Sequence, residues 1–278
     1  GRRLSTDALR ERIEASILSL TPVTETLKPE AVRPQVYRAE LEGAIVLRSR
    51  IVVPLSGSEA AQANAALAAA ALNGLRVDTG ETLSFNQTVG LRTSEAGYQA
   101  AEEPAYGQNV SGVGGGVCQV STALYRLALL GGLEIGERNA AVYPVDYCDV
   151  GQEAAVSDQG LDLKIVNSTG MPVFLTARVY ADGDGQTMEL QLIGLEPDES
   201  YTLASETETI APPEEPIYVR DSEGRYAAYS DERIPVGEPM PGYRVTVRLI
   251  SETDEKIVSQ DEYDAIPQII YVGVSQRP

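Results

Sequence analysis

A chain of 278 residues, 43% of them hydrophobic and with 14 tyrosines supplying most of the aromatic content, is long enough for one or two ordinary cores and too apolar to be a disordered tail. Its formal net charge of -19 argues against nucleic acid as a partner and against adsorption to anionic lipid heads, because both carry the same sign. With no histidine and two cysteines, no zinc set can be assembled beyond carboxylates, no metal or other cofactor is expected, and a histidine-dependent hydrolase is excluded in its familiar form.

In chain order, residues 5–20 put Leu9, Ile13, Ile17 and Leu20 on one stripe with Ser5 or Thr6 able to cap the start, which predicts a short amphipathic helix. Pro22, Pro29 and Pro34 interrupt the next stretch, and residues 36–41 and 44–53 alternate as strands. Residues 1–53 read as the remnant of an upstream domain. The alanine-rich stretch 59–72 predicts a helix capped by Ser58 and closed by Asn73-Gly74, and residues 119–130 predict a second, buried on one face through Val120, Leu124 and Leu127 and ended by Gly131-Gly132. Residues 161–166, 173–180 and 187–193 read as strands, the last two joined across Asp182-Gly183-Asp184-Gly185 as a hairpin whose turn is too short for an EF-hand. Pro212, Pro213 and Pro216 mark a linker, beyond which 243–250, 256–259 and 269–272 supply more strands. The expected organisation is an N-terminal segment 1–53, a core domain 54–210 and a β-rich segment 211–278, and the expected class is α+β, helices packed on a mainly antiparallel β-sheet. Whether the last segment packs against the core or folds as a small module is open from sequence.

The run Gly114-Gly115-Gly116-Val117-Cys118-Gln119 carries the chemistry. Consecutive glycines allow positive φ and close backbone approach, and they deliver Cys118 to the first turn of the 119–130 helix, where unpaired N–H groups and the helix dipole favour a thiolate and can hold an oxyanion. The same features also suit a buried core cysteine on a tight packing turn, and a disulfide to Cys148, with 29 residues between them, is a further alternative.

Several ordered motifs give the chain a family resemblance. Asn73-Gly74, Gly80-Glu81-Thr82-Leu83-Ser84-Phe85-Asn86, Gly90-Leu91-Arg92-Thr93, Gly97-Tyr98-Gln99-Ala100-Ala101, the glycine run through Thr122, Glu137-Arg138, Pro144-Val145-Asp146-Tyr147 and Asn167-Ser168-Thr169-Gly170-Met171-Pro172-Val173 resemble those of VanW-domain proteins of bacterial cell envelopes. The likeness covers residues 60–195. It implies a protein of the outer face of the cytoplasmic membrane or the cell wall, with peptidoglycan stem peptides as partners and membrane attachment only through an N-terminal anchor that this chain, starting at Gly1-Arg2-Arg3, does not include. Some members of the family are cysteine L,D-transpeptidases. That implies a Cys118 acyl-enzyme, formed at the third stem residue with release of D-alanine and resolved by an amine of a neighbouring stem.

By the same resemblance Arg92 is a candidate for a stem carboxylate, Tyr98 and Tyr147 for the walls of a groove, Gly115, Gly116 and the Gln119 backbone N–H for contacts to substrate or oxyanion, and Asp146 and Glu153 for acid–base work. For Arg92 the alternative is a structural ion pair, for the tyrosines a place in the core or at a rim, and for the acids a solvated surface. The chain departs from the family pattern where members show His-Ser, here Ala141-Val142, and Asp-Ala-Thr-Val, here Glu153-Ala154-Ala155-Val156. Two functions are compatible with this pattern. One is transpeptidation, with the helix terminus and a carboxylate in place of the histidine or with that histidine never the base. The other is a non-catalytic stem-peptide-binding module.

Overall fold

The computed structural model describes residues 2–4, 7–20, 22, 29–31, 45–105, 108–183 and 185–276. The chain divides into two compact units, Gly1–Ala44 and Ile45–Pro278. In the first, β1 (Arg2–Leu4) pairs antiparallel with β2 (Pro29–Ala31), and α1 (Asp7–Ser19) is the amphipathic helix predicted for 5–20, with Ile13, Ile17 and Leu20 of its stripe exposed. The strand predicted over 36–41 lies outside the described residues.

The second unit runs β3 (Ile45–Pro54), α2 (Glu59–Leu72), β4 (Leu75–Val77), β5 (Thr82–Ser84), α3 (Phe85–Val89), β6 (Ala100–Ala105), β7 (Gln108–Val113), α4 (Val117–Leu130), β8 (Glu134–Glu137), β9 (Lys164–Val166), β10 (Val173–Asp182), β11 (Gly185–Leu195), β12 (Thr202–Ala211), β13 (Ile217–Asp221), β14 (Arg233–Val236), β15 (Gly242–Ile250), β16 (Glu255–Tyr263) and β17 (Ile269–Gly273). The fold is α+β and mainly antiparallel, as the sequence predicts. Its principal sheet has the order β3-β11-β10-β4. The strand Ile45–Pro54, expected at the end of the segment 1–53, is an edge of this sheet, in register with β11 from Pro54 opposite Thr187 to Ile45 opposite Leu195.

Alternation explains which face of that sheet is buried. Val173, Leu175 and Ala177 of β10 lie beside Met188, Leu190 and Leu192 of β11, and both rows pack under α2 and α4. Helix α2 begins where the Ser58 side chain accepts the Ala61 amide, and its buried alanines, Ala61, Ala65, Ala68 and Ala69, bring its backbone close to α4. Helix α4 is covered on nearly every side, with Val120, Leu124, Tyr125 and Leu127 in the core.

The C-terminal strands answer the question left open by sequence in two parts. The sheet β12-β15-β16 joins the main core through Leu249, with Leu203 and Val258 packed against it. The sheet β13-β17-β14, beyond the proline linker, has a small core of its own in Ala227, Ile269 and Tyr271, and Tyr226 stacks on Tyr271 at 4.3 Å between ring centroids.

On the other face of the principal sheet, Glu189 of β11 is 1% exposed between cross-strand arginines, accepting from Arg50 of β3 at 2.7 Å and from Arg178 Nε of β10 at 2.8 Å. The hydrogen bond from Arg50, then that from Arg178, holds its carboxyl down to about 2 against an ordinary 4.5. Because the folded value is depressed, this stabilisation is complete above pH 4.5 and is lost as pH falls toward 2. We expect Glu189→Gln to flatten that part of the stability–pH profile, read from urea-denaturation midpoints across the interval; an unchanged acid limb would count against it.

Candidate functional site

The site is built from a glycine turn, the first turn of α4 and one connecting segment. Gly114 and Gly116 hold φ of 92° and 97°, in the left-handed region where glycine carries no steric cost. Space demands glycine as well. A β-carbon on Gly116 would lie 2.3 Å from the Ala61 carbonyl oxygen on α2, and one on Gly114 would lie 2.7 Å from Arg92 Cβ. The turn is clamped by Asn64, 1% exposed on α2, whose amide donates to the carbonyls of Gly115 and Gln99, each at 2.9 Å, and accepts from the Gln99 N–H at 2.8 Å.

Gly116 caps α4, so Cys118 falls on its first turn and is half-buried. The thiol donates to the Val156 carbonyl at 3.6 Å. One turn on, Ser121 Oγ donates to the Ala154 carbonyl at 2.6 Å and Thr122 Oγ1 accepts the Ala154 N–H at 3.0 Å. Residues spaced three and four apart share a helix face, so Cys118, Ser121 and Thr122 together fasten the segment 154–156 along α4. The Ala155 N–H donates to the Asn139 carbonyl at 2.8 Å.

Tyr147 comes back to the same place. Burial first, then the negative charge that a Cys118 thiolate would carry nearby, push its pKa far up, so the phenol keeps its proton. The two cysteines are not joined by a disulfide. Burial, then the Glu153 carboxylate, pushes the Cys148 thiol up to about 12, which leaves it protonated at neutral pH.

The other residues singled out in the sequence have mainly supporting places. Arg92 is 6% exposed at its side chain, ion-paired to Asp158, donating to Asn86 Oδ1 at 2.6 Å and lying over the Phe85 ring, so its fork braces the glycine turn against the segment near 158. Tyr98 is 4% exposed and belongs to the main core. The Gln119 backbone N–H donates to the Gly116 carbonyl at 3.2 Å, and its side chain ties α4 to Ser56, accepting from the Ser56 N–H at 2.8 Å and donating to the Ser56 carbonyl at 3.1 Å. Asp146 is exposed. Glu153, 1% exposed, accepts from Arg138 at 3.1 Å, from the Gly151 N–H at 2.9 Å and from the Tyr263 hydroxyl. The structure thus gathers Cys118, Tyr147 and the segment after Glu153 around one helix turn, and places Arg92, Tyr98 and Gln119 in its support.

Sequence reasoning missed Asn64, Ser121, Thr122, Asp261 and Tyr263. Asn64 had a signal: it is the polar member of a stripe, Ala61, Asn64, Ala65, Ala68, whose other positions are all alanine. Asp261 and Tyr263 had none, because Asp261 lies more than a hundred positions downstream of its partner Arg138, and Tyr263 as far downstream of its partner Glu153.

Residues 60–191 match the family model described as VanW like protein. Over 125 residues the chain is 37% identical to the uncharacterized protein YoaR of Bacillus subtilis (strain 168), covering 45% of this chain and 41% of that protein. Over 179 residues it is 30% identical to the vancomycin B-type resistance protein VanW of Enterococcus faecalis (strain ATCC 700802 / V583), covering 62% of this chain and 61% of that one. The chain therefore spans less than two thirds of either relative. A solved structure of HP0197-G5 aligns at 15% identity over 27% of this chain and 99% of its own with a TM-score of 0.14, a likeness too slight to carry an argument.

At Gly116 a methyl group meets both a left-handed φ and the Ala61 carbonyl. Gly116→Ala is expected to destabilise the protein by about 3 kcal/mol or more. Chemical denaturation of the variant tests this, and a loss within experimental error of zero would mean the turn tolerates a side chain.

Proposed function

We propose, for a chain that belongs to the VanW-like family through its residues 60–191, a cell-envelope role in which Cys118 is the nucleophile of an L,D-transpeptidase acting on peptidoglycan stem peptides. The observation that carries this reading is the mounting of the thiol. It stands half-buried on the first turn of α4, next to a glycine turn with no room for side chains, with a protonated phenol at its side. A core cysteine needs no such surroundings, whereas an attacking sulfur needs a fixed direction and a donor for the charge that develops on the carbonyl oxygen.

In this scheme the Cys118 sulfur bonds to the carbonyl carbon of the third stem residue, the bond from that carbon to the D-alanine nitrogen breaks, and D-alanine leaves carrying the proton that the thiol gives up. The amine of an acceptor stem then attacks the thioester, forming the new amide and returning a proton to sulfur. Tyr147 is the hydrogen-bond donor at the reacting oxygen. Exposed Asp146 is the carboxylate with room to accept a proton, while Glu153, its oxygens engaged by Arg138, Gly151 and Tyr263, works by holding its segment in place. The scheme calls for no metal or cofactor, and it puts the protein outside the cytoplasmic membrane, where its substrate is.

A second reading, recognition of stem peptides without bond cleavage, is favoured by one contact: the thiol donates to a carbonyl, Val156, which cannot serve as a base. Intact mass separates the two. Reduced protein incubated with a tetrapeptide-stem muropeptide or a carbapenem is expected to gain an acyl adduct that is absent in Cys118→Ala. Wild-type protein that binds the stem yet stays unmodified over a wide pH range would leave the binding module standing.

A further inference from the structure

The segment 149–156 forms no part of any named strand, and its position over Cys118 is set from two sides. On one side are the bonds to Cys118, Ser121 and Thr122 of α4. On the other is the sheet β12-β15-β16, which lies wholly downstream of the family-matched residues 60–191, and each of its three strands touches the segment or its anchor. From β12, Ser205 Oγ lies 3.1 Å from the Gln152 amide nitrogen, which donates to it. Against β15, Gly151 fits so closely that a β-carbon would meet Val245 at 2.7 Å and Val247 at 2.8 Å, with φ at +84°. From β16, the Tyr263 hydroxyl donates to Glu153, and Asp261 pairs with Arg138.

Arg138 is the hub. Its side chain, 7% exposed, donates through Nε to the Glu153 carbonyl at 2.7 Å and through Nη2 to the Gly151 carbonyl at 2.9 Å and to Glu153 Oε1 at 3.1 Å, while Nη1 goes to Asp261. The guanidinium also lies over the ring of Tyr125 on α4, 5.5 Å from its centroid. One buried cation thus joins the segment, the reactive helix and the C-terminal sheet. A buried carboxylate such as Glu153 is tolerable only while these donors stay in place, so a displaced Tyr263 or Asp261 must move the segment or force Glu153 toward water.

We infer that the β12-β15-β16 sheet is a working part of the Cys118 site, with Tyr263, Asp261 and Arg138 acting as positioning residues that hold the 149–156 segment, and with it the Val156 carbonyl, against the thiol. The inference rests on the reading of Cys118 as the reactive group. It also assigns the strands beyond the family-matched domain a role in chemistry and not only in adding core.

The test uses the full chain and two near-isosteric variants, Tyr263→Phe and Asp261→Asn, since Arg138→Ala risks loss of the fold. Arg244→Gln is the control: Arg244 is on β15 of the same sheet, but its partners, Glu208 and Glu262, are exposed and away from the segment. Two rates at Cys118 are measured, acylation by a carbapenem over a range of concentrations and alkylation by iodoacetamide, the latter followed by peptide mapping so that Cys148 is counted separately. In both variants the maximal acylation rate is expected to fall about tenfold with the half-saturating concentration unchanged, as for a misplaced attacking group. Alkylation of Cys118 is expected to rise as its cover loosens, and Arg244→Gln to leave both rates at wild-type values. Alkylation and acylation equal to wild type in both variants, with only a lowered melting temperature, would overturn the inference. If the wild type never acylates, the transpeptidase reading fails, and the iodoacetamide rates still decide whether the sheet positions the thiol's cover.

Discussion

The close approach of Gly116 to the Ala61 carbonyl is the contact on which the rest of the site depends. It requires a left-handed residue with no side chain, and it sets the first turn of α4 directly against the first turn of α2. Asn64, one turn further along α2, then satisfies the carbonyls that such a turn leaves exposed in a buried place, where an unpaired polar group would cost about 1–3 kcal/mol. The alanines of α2 belong to the same constraint, because larger side chains at 61, 65 or 68 would hold the two helices apart. Cys118 is where it is because these two helix starts are locked together.

Electrostatics shape the second layer. The chain has 41 acidic residues against 22 lysines and arginines, so most carboxylates have to face water. Two that do not, Glu189 and Glu153, are held at places where separate elements meet, Glu189 by the exposed Arg50 and Arg178 and Glu153 by the buried Arg138. Glu189 joins three strands of the principal sheet, and Glu153 joins the segment over Cys118 to the C-terminal sheet. Breaking such a pair on one side leaves a buried charge without a partner, which is far costlier than losing a surface ion pair. The exposed ladder of Arg244 and Arg248 with Glu206, Glu208, Glu255 and Glu262 on β12, β15 and β16 is of the cheaper kind.

The match to the VanW-like family model accounts for the order of motifs along residues 60–191 but not for what covers the thiol. The family-matched residues supply the glycine turn, α4 and the segment 149–156. The anchors of that segment are shared with strands further along the chain, so the site is a joint product of the domain and the strands downstream of it. The absence of histidine from the sequence gives this cover added weight, since the group that the thiol is seen to donate to is the Val156 carbonyl and not an imidazole.

By itself the sequence determined the two long helices, the β10–β11 hairpin and the mount. Ser58 and the alanine run mark α2, alternation marks β10 and β11 with their hairpin, and three glycines before Val117 mark a helix start that carries a thiol, because capping, periodicity and positive φ are local properties written in neighbouring residues. In the sequence Arg92 was legible as a carboxylate binder or a structural ion pair, and Glu153 as an acid–base group or a solvated acid. The tertiary structure decided that Arg92 braces the glycine turn and that Glu153 faces Arg138 and Tyr263, because partners brought together from distant strands leave no periodic trace in the chain. It likewise decided that the C-terminal segment divides, one sheet entering the main core and the other keeping its own, since alternation tells which face of a strand is apolar but not which neighbour will bury it.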